Sequence, residues 1–118
     1  MNTSINGFYA VYITGAAQQG LALIVLRNGK VVGVDVGGVK YDGTYGDGDE
    51  GNGFKVRLKV LIPPNAILVQ GVNSGPQGDA SEIEFHLPVD FLSQPFIRVN
   101  AKHGPVNAKF IKLRELNE

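Results

Sequence analysis

The chain has 118 residues, with 11 Lys plus Arg against 11 Asp plus Glu, no cysteine, 16 glycines and 6 prolines. That length builds one domain, residues 1–118, around a single core, and the missing cysteines exclude disulfides and thiolate metal sites. Balanced charge removes the basic footprint of a nucleic-acid binder and leaves little repulsion between copies of the chain.

The opening residues MNTSINGFYAVYIT lack a basic stretch followed by a long apolar one, so no secretory signal is expected. The most apolar run, Leu21 to Leu26, is too short to span a bilayer. A cytoplasmic location without membrane contact is expected. Abundant glycine, with valine and isoleucine spread throughout, favours an all-β domain.

Gly7 to Thr14 reads as the first strand, rich in aromatic and β-branched residues. Gly20 to Arg27 reads as the second, and Asn28-Gly29 turns it directly into a third, Lys30 to Val36, because Asn-Gly suits a two-residue hairpin turn. A fourth strand, Val39 to Tyr45, places Val39, Tyr41, Gly43 and Tyr45 on one face. Glycine inside strands costs stability and marks tight bends or close backbone approach. Its repetition from Gly29 to Gly43 predicts a strongly bent sheet, as a small barrel requires.

Gly46 to Gly53 is an acidic, glycine-rich loop. Phe54 to Ile62 then alternates, with Phe54, Val56, Leu58, Val60 and Ile62 on one face and Lys55, Arg57 and Lys59 on the other. Pro63-Pro64 stops this strand. A short strand is expected over Ala66 to Val72, and a turn cluster over Asn73 to Asp79. Ser81 to Leu87 alternates again, Ile83, Phe85 and Leu87 against Glu82, Glu84 and His86. Pro88 to Gln94 can hold a helical turn. Phe96 to His103 and Val106 to Leu113 predict a last hairpin around Gly104-Pro105. Eight or nine short strands at this spacing predict a barrel or sandwich.

The strand around Leu21 to Leu26 is apolar on both faces. If one set lines the core, the other (Leu21, Leu23 and Val25 in this reading) needs cover from outside the sheet. A second copy of the chain, giving a homodimer, is the expected cover. The alternative is cover by the chain's own N-terminus or the segment near Pro88.

The order of these features resembles the GrlR-like negative regulators of type III secretion, small bacterial proteins with an eight-stranded lipocalin-like barrel. The matching motifs are Gly7-Phe8-Tyr9, the glycine-led run from Gly20 into Asn28-Gly29, the Gly33-x-Asp35 step, and Tyr41-Asp42-Gly43 followed by an acidic loop. They cover roughly the first half of the chain. Downstream, Pro63-Pro64 and Asn73 to Asp79 depart from the family pattern. The resemblance implies a small antiparallel eight-stranded barrel that sequesters a transcriptional activator through protein contact. In the family's best-known member the acidic loop is a run of four acidic residues that looks like its contact site for an activator; here Asp47, Asp49 and Glu50 correspond to it, and Gly48 breaks the run.

On its own chemistry that loop reads either as a docking patch for a basic partner surface or as a solvated hairpin tip. Its Asp-x-Asp spacing lacks the glutamate and helices of an EF-hand, which discounts calcium. The alternative function is a carrier or sensor of a small apolar molecule held among Tyr9, Tyr41, Tyr45, Phe54 and Phe85, although a barrel filled by its own side chains is the simpler expectation. His86 with Glu82 and Glu84 reads as a solvated face. Serines and threonines lack a histidine partner with an orienting acid. The basic stripe Lys55, Arg57, Lys59 lacks the interleaved aromatics of a single-strand binder. No enzymatic activity, cofactor, metal or direct nucleic-acid contact is expected.

Overall fold

A computed structural model describes residues 4–117. Among them the chain forms eight strands: β1 (Gly7–Thr14), β2 (Gln19–Arg27), β3 (Lys30–Asp35), β4 (Lys40–Asp47), β5 (Phe54–Ile62), β6 (Asp79–Leu87), β7 (Ile97–Ala101) and β8 (Gly104–Arg114). All pair antiparallel in one sheet, in the order β6-β5-β4-β3-β2-β1-β8-β7. The sheet curls until its edge strands β6 and β7 approach each other, which nearly closes an all-β, lipocalin-like barrel. A single 3-10 turn, Asp49–Gly51, is the helical content of the described residues.

The curl follows from the residues. Asn28 and Gly29 both take positive φ, 49° and 84°, and join β2 to β3 as a two-residue hairpin whose twist matches the strands. Asn6 braces this turn: its Oδ1 accepts from the Asn28 N–H at 2.8 Å, and its Nδ2 donates to Asn28 Oδ1 at 3.0 Å. Gly43 faces the interior where β4 crosses β5, and a Cβ there would collide with the backbone carbonyl of Arg57. Only glycine lets the two strands bend so closely. Asp35 ends β3: its Oδ1 accepts the N–H groups of Gly37 and Val39 at 2.8 and 3.0 Å, which shapes the turn into β4.

Three expected elements differ. Ala66 to Val72 is not a strand; it belongs to a loop, residues 63–78, that joins no ladder of the sheet and whose one β-bridge, Ile67–Asn73, is internal. Positive φ at Asn65, Gly71, Gly75 and Gly78 keeps curling the chain back, and Ser74 Oγ ties the limbs by donating to Pro63 O at 2.6 Å. Residues 88–94 form consecutive turns, with Phe91 N–H donating to Pro88 O and Ser93 N–H to Asp90 O, rather than a helical turn. The last hairpin turns at Lys102-His103, two residues earlier than expected. Gly104 and Pro105 lie inside β8, where Pro105 precedes the stretch that pairs with β1, so its missing N–H breaks no bond there.

The two ends of the barrel are packed differently. At the end holding the β2–β3 hairpin, Phe91 enters from the β6–β7 connection. Its ring lies 5.5 Å from that of Phe110 and 6.0 Å from that of Tyr9. Tyr9 is 1 % exposed and donates its hydroxyl to Ile5 O at 2.6 Å. That end is solid. The other end is hollow.

Candidate functional site

The hollow half holds a cavity of about 290 Å³. Its wall is built from alternate, inward-facing residues along the strands, among them Val11 and Ile13 of β1, Ala22 and Ile24 of β2, Leu58 and Val60 of β5, Ile83 and Phe85 of β6, Val99 of β7 and Val106 of β8. Leu87 and Phe110 close it towards the solid end. The barrel is therefore not filled by its own side chains.

Polar groups gather at the mouth. Tyr41 reaches the cavity from β4 and donates its hydroxyl to Asp35 Oδ2 at 3.3 Å. Burial, then the Asp35 charge, raises the Tyr41 phenol well above its usual range, so the hydroxyl keeps its proton. Across the mouth, Asp79 at the start of β6 meets the β7–β8 turn. Lys102 Nζ donates to its two oxygens at 2.8 and 3.1 Å, and His103 Nε2 lies 2.8 Å from Oδ2. Hydrogen bonds from Lys102, then His103, hold the Asp79 carboxyl down at about 2. This cluster fastens the β6 edge to the β7 end of the sheet.

The loop 63–78 folds over the same mouth. Leu68 is buried, and Val69 O accepts the N–H groups of Ala17 and Gln18 at 2.9 and 3.0 Å. Gln70 donates to Gly104 O at 3.3 Å. The loop thus bridges the β1–β2 and β7–β8 turns above the cavity.

Of the five aromatic residues singled out for a cavity, Tyr41 and Phe85 line it. Tyr9 sits in the solid end. Tyr45 and Phe54 pack edge to face at 6.3 Å, and Tyr45 donates to Asn6 Oδ1 at 3.0 Å. The wall is chiefly aliphatic. Inward alternation in β5 and β6 carried that signal in the sequence; the lid residues Leu68 and Val69 had none, because they lie in an irregular loop.

Asp47, Asp49 and Glu50 stand at the β4–β5 tip, beyond the solid end. All three are exposed, and Asp49 lies 3.5 Å from Lys55 Nζ. Glu50 takes φ 55° and throws the tip outward. The basic stripe of β5 is opposed by acidic neighbours: Arg57 Nε bonds Glu84 Oε1 at 2.7 Å, and Lys59 sits across from Glu82. His86 is exposed beside Lys55. Leu21, Leu23 and Val25 point to the outside of the barrel, since Ala22, Ile24 and Leu26 are buried inside it. Among the described residues no group of three or more His, Asp or Glu is placed to hold a metal, and no helix is long and apolar enough to cross a membrane.

No family model, curated protein or solved structure matches the chain.

Proposed function

We propose that this protein is a non-enzymatic binding module whose barrel holds one small, largely apolar molecule. The observation that carries this reading is the 290 Å³ aliphatic cavity with its polar groups confined to the mouth. Ligand pockets combine an apolar lining with a few placed polar groups in this way. An apolar cavity of ~150 Å³ holds benzene and stays free of water, so this one suits roughly ten to twelve non-hydrogen atoms. A bicyclic aromatic or a chain of about ten carbons is that size, with its polar end towards Tyr41 and the Lys102-His103 turn. Native mass spectrometry and thermal shift with naphthol and decanoate test it. Binding should raise the melting temperature, and Val60→Trp, which fills the cavity from its wall, should abolish the rise. A protein that carries no small molecule and gives no shift with either probe counts against the reading.

A second reading is favoured by the exposed acidic tip. Asp47, Asp49 and Glu50 project away from the cavity on a turn with no packing duty of its own, which is where a charged docking loop belongs. By its resemblance to the GrlR-like regulators, the chain would use this tip to occupy a transcriptional activator and keep it from DNA. Neutralising all three residues should slow association with such a partner, most at low salt. Unchanged binding removes the tip from the mechanism.

A further inference from the structure

Among the described residues two carboxylates occupy inward positions at the hollow end of the barrel. Alternation along β3 turns Val31, Gly33 and Asp35 inward, and along β6 it turns Asp79, Ser81 and Ile83 inward. Their surroundings differ. Asp79 is matched by Lys102, which bonds both of its oxygens, and by His103. Asp35 has no Lys, Arg or His within ion-pair distance among the described residues. Its Oδ1 shapes the β3–β4 turn by accepting the Gly37 and Val39 N–H groups, a duty that an uncharged asparagine performs equally well. Its Oδ2 has one donor, the Tyr41 hydroxyl at 3.3 Å, which is longer than the roughly 2.5–3.0 Å of a good O–H···O bond. Asp35 and Tyr41 both line the cavity. The turn therefore accounts for the shape of the Asp35 side chain but not for its charge, and a half-buried carboxylate beside an apolar wall is costly unless a cation meets it.

We propose that the ligand supplies that charge: the cavity takes a primary amine with an apolar body, its ammonium on Asp35 Oδ2 and its body against Leu58, Val60, Ile83 and Phe85. The proposal rests on the reading of the barrel as a small-molecule binder and names the class of molecule. A primary amine with a pKa of about 10 is charged at neutral pH and presents three N–H donors. One donor meets Asp35 Oδ2, and the Tyr41 hydroxyl oxygen has a lone pair for a second. Tyr41 keeps its proton, so it brings no further negative charge to the mouth. An anionic ligand fares worse on both sides of the mouth. It meets Asp35 with like charge, and it reaches Lys102 only by displacing Asp79. A neutral ligand of the same shape fills the apolar wall equally well but leaves Asp35 without a counter-charge.

Isothermal titration calorimetry on the full chain tests this with three probes of one shape: naphthylmethylamine, naphthalenemethanol and naphthoate, each of about twelve non-hydrogen atoms and so matched to the cavity. The amine should bind roughly 10- to 100-fold tighter than the alcohol, the gain expected of a hydrogen bond between charged groups, and naphthoate should bind more weakly than either. Asp35→Asn keeps an acceptor for the Gly37 and Val39 N–H groups and removes the charge. It should bring the amine to within about threefold of the alcohol while the alcohol's own affinity holds. Nuclear Overhauser contacts from the amine's methylene to the Tyr41 ring, and not to Lys102, should place the ammonium in the unaltered protein, whatever the folding of the variant. An alcohol that binds as tightly as the amine overturns the inference and leaves the cavity reading standing. So does naphthoate as the tightest probe, a methylene beside Lys102, or an amine preference that survives Asp35→Asn. If none of the three binds, the cavity reading falls and this inference falls with it.

Discussion

Truncating two phenylalanines tests whether one end of the barrel is solid and the other hollow. Phe91 is 2 % exposed and wedged between Tyr9 and Phe110. Phe91→Ala removes a full ring and leaves a void the rigid strands cannot close, a loss of about 3–5 kcal/mol. Phe85 lines the existing cavity and is only partly buried. Because it is only partly buried and borders an existing void, Phe85→Ala forfeits about half of the 1.5–3 kcal/mol transfer term, roughly 0.8–1.5 kcal/mol. The gap between the variants is therefore about 2–3 kcal/mol, or on the order of 10 °C in melting temperature for a domain of this size. Urea unfolding followed by tyrosine fluorescence and by far-UV circular dichroism measures it, provided the two probes coincide and the slope is unchanged. Equal losses, or a larger loss at Phe85, would show that the cavity is filled in solution and refute the reasoning.

Two further outcomes follow from local geometry. Asp79 has a folded-state value of about 2 against an ordinary 3.8, so its contribution is complete above pH 4 and is lost as pH falls towards 2. Melting of the unaltered protein should therefore drop across that window more steeply than melting of Asp79→Asn; parallel curves would contradict the cluster. Gly43→Ala forces a Cβ into the Arg57 carbonyl and should cost more than about 3 kcal/mol, whereas Gly46→Ala, with open space around its Cα, should stay within about 0.5 kcal/mol. Comparable stability of the two variants would refute the close β4–β5 approach.

Much of this barrel was legible because its signals are local. β1 runs from Gly7 to Thr14 as read from its composition, and the Asn28-Gly29 turn needs nothing beyond two residues able to take positive φ. The inward sets of β5 and β6 follow from strict alternation, which a half-wet strand must show. What escaped depends on contacts distant in sequence. Ala66 to Val72 has the apolar content of a strand, yet positive φ at Gly71 and bonds to the β1–β2 turn and to Gly104 fold it into a lid. The cavity escaped in part because aromatic residues draw attention. Tyr9 is larger than the aliphatic residues that make most of the wall, and it packs in the solid end. The hollow end is lined by the smaller Val, Ile and Ala positions. Volume, summed over eight strands, decides where a barrel is empty, and no single segment reports it.

The seam between β6 and β7 ties these points together. The two strands are the edges of the sheet and share no backbone ladder. In an antiparallel pair alternate amides point to one neighbour, so on β6 every second N–H bonds β5 and the others face the seam. The seam is also the cavity wall, since Ile83 and Phe85 meet the interior on one side of it and Val99 on the other. Parting β6 from β7 breaks the Asp79 cluster and side-chain contacts but no strand pairing, which makes it the least costly opening to the cavity. Native-state hydrogen exchange should then show an alternating pattern along β6, fast at seam-facing amides and slow at those bonded to β5. The central strand β2, paired on both sides, should be slow at every residue of its interior. Uniform protection along β6 would mean that the ladder closes completely in solution, and a ligand would then have to pass beneath Leu68 and Val69 instead.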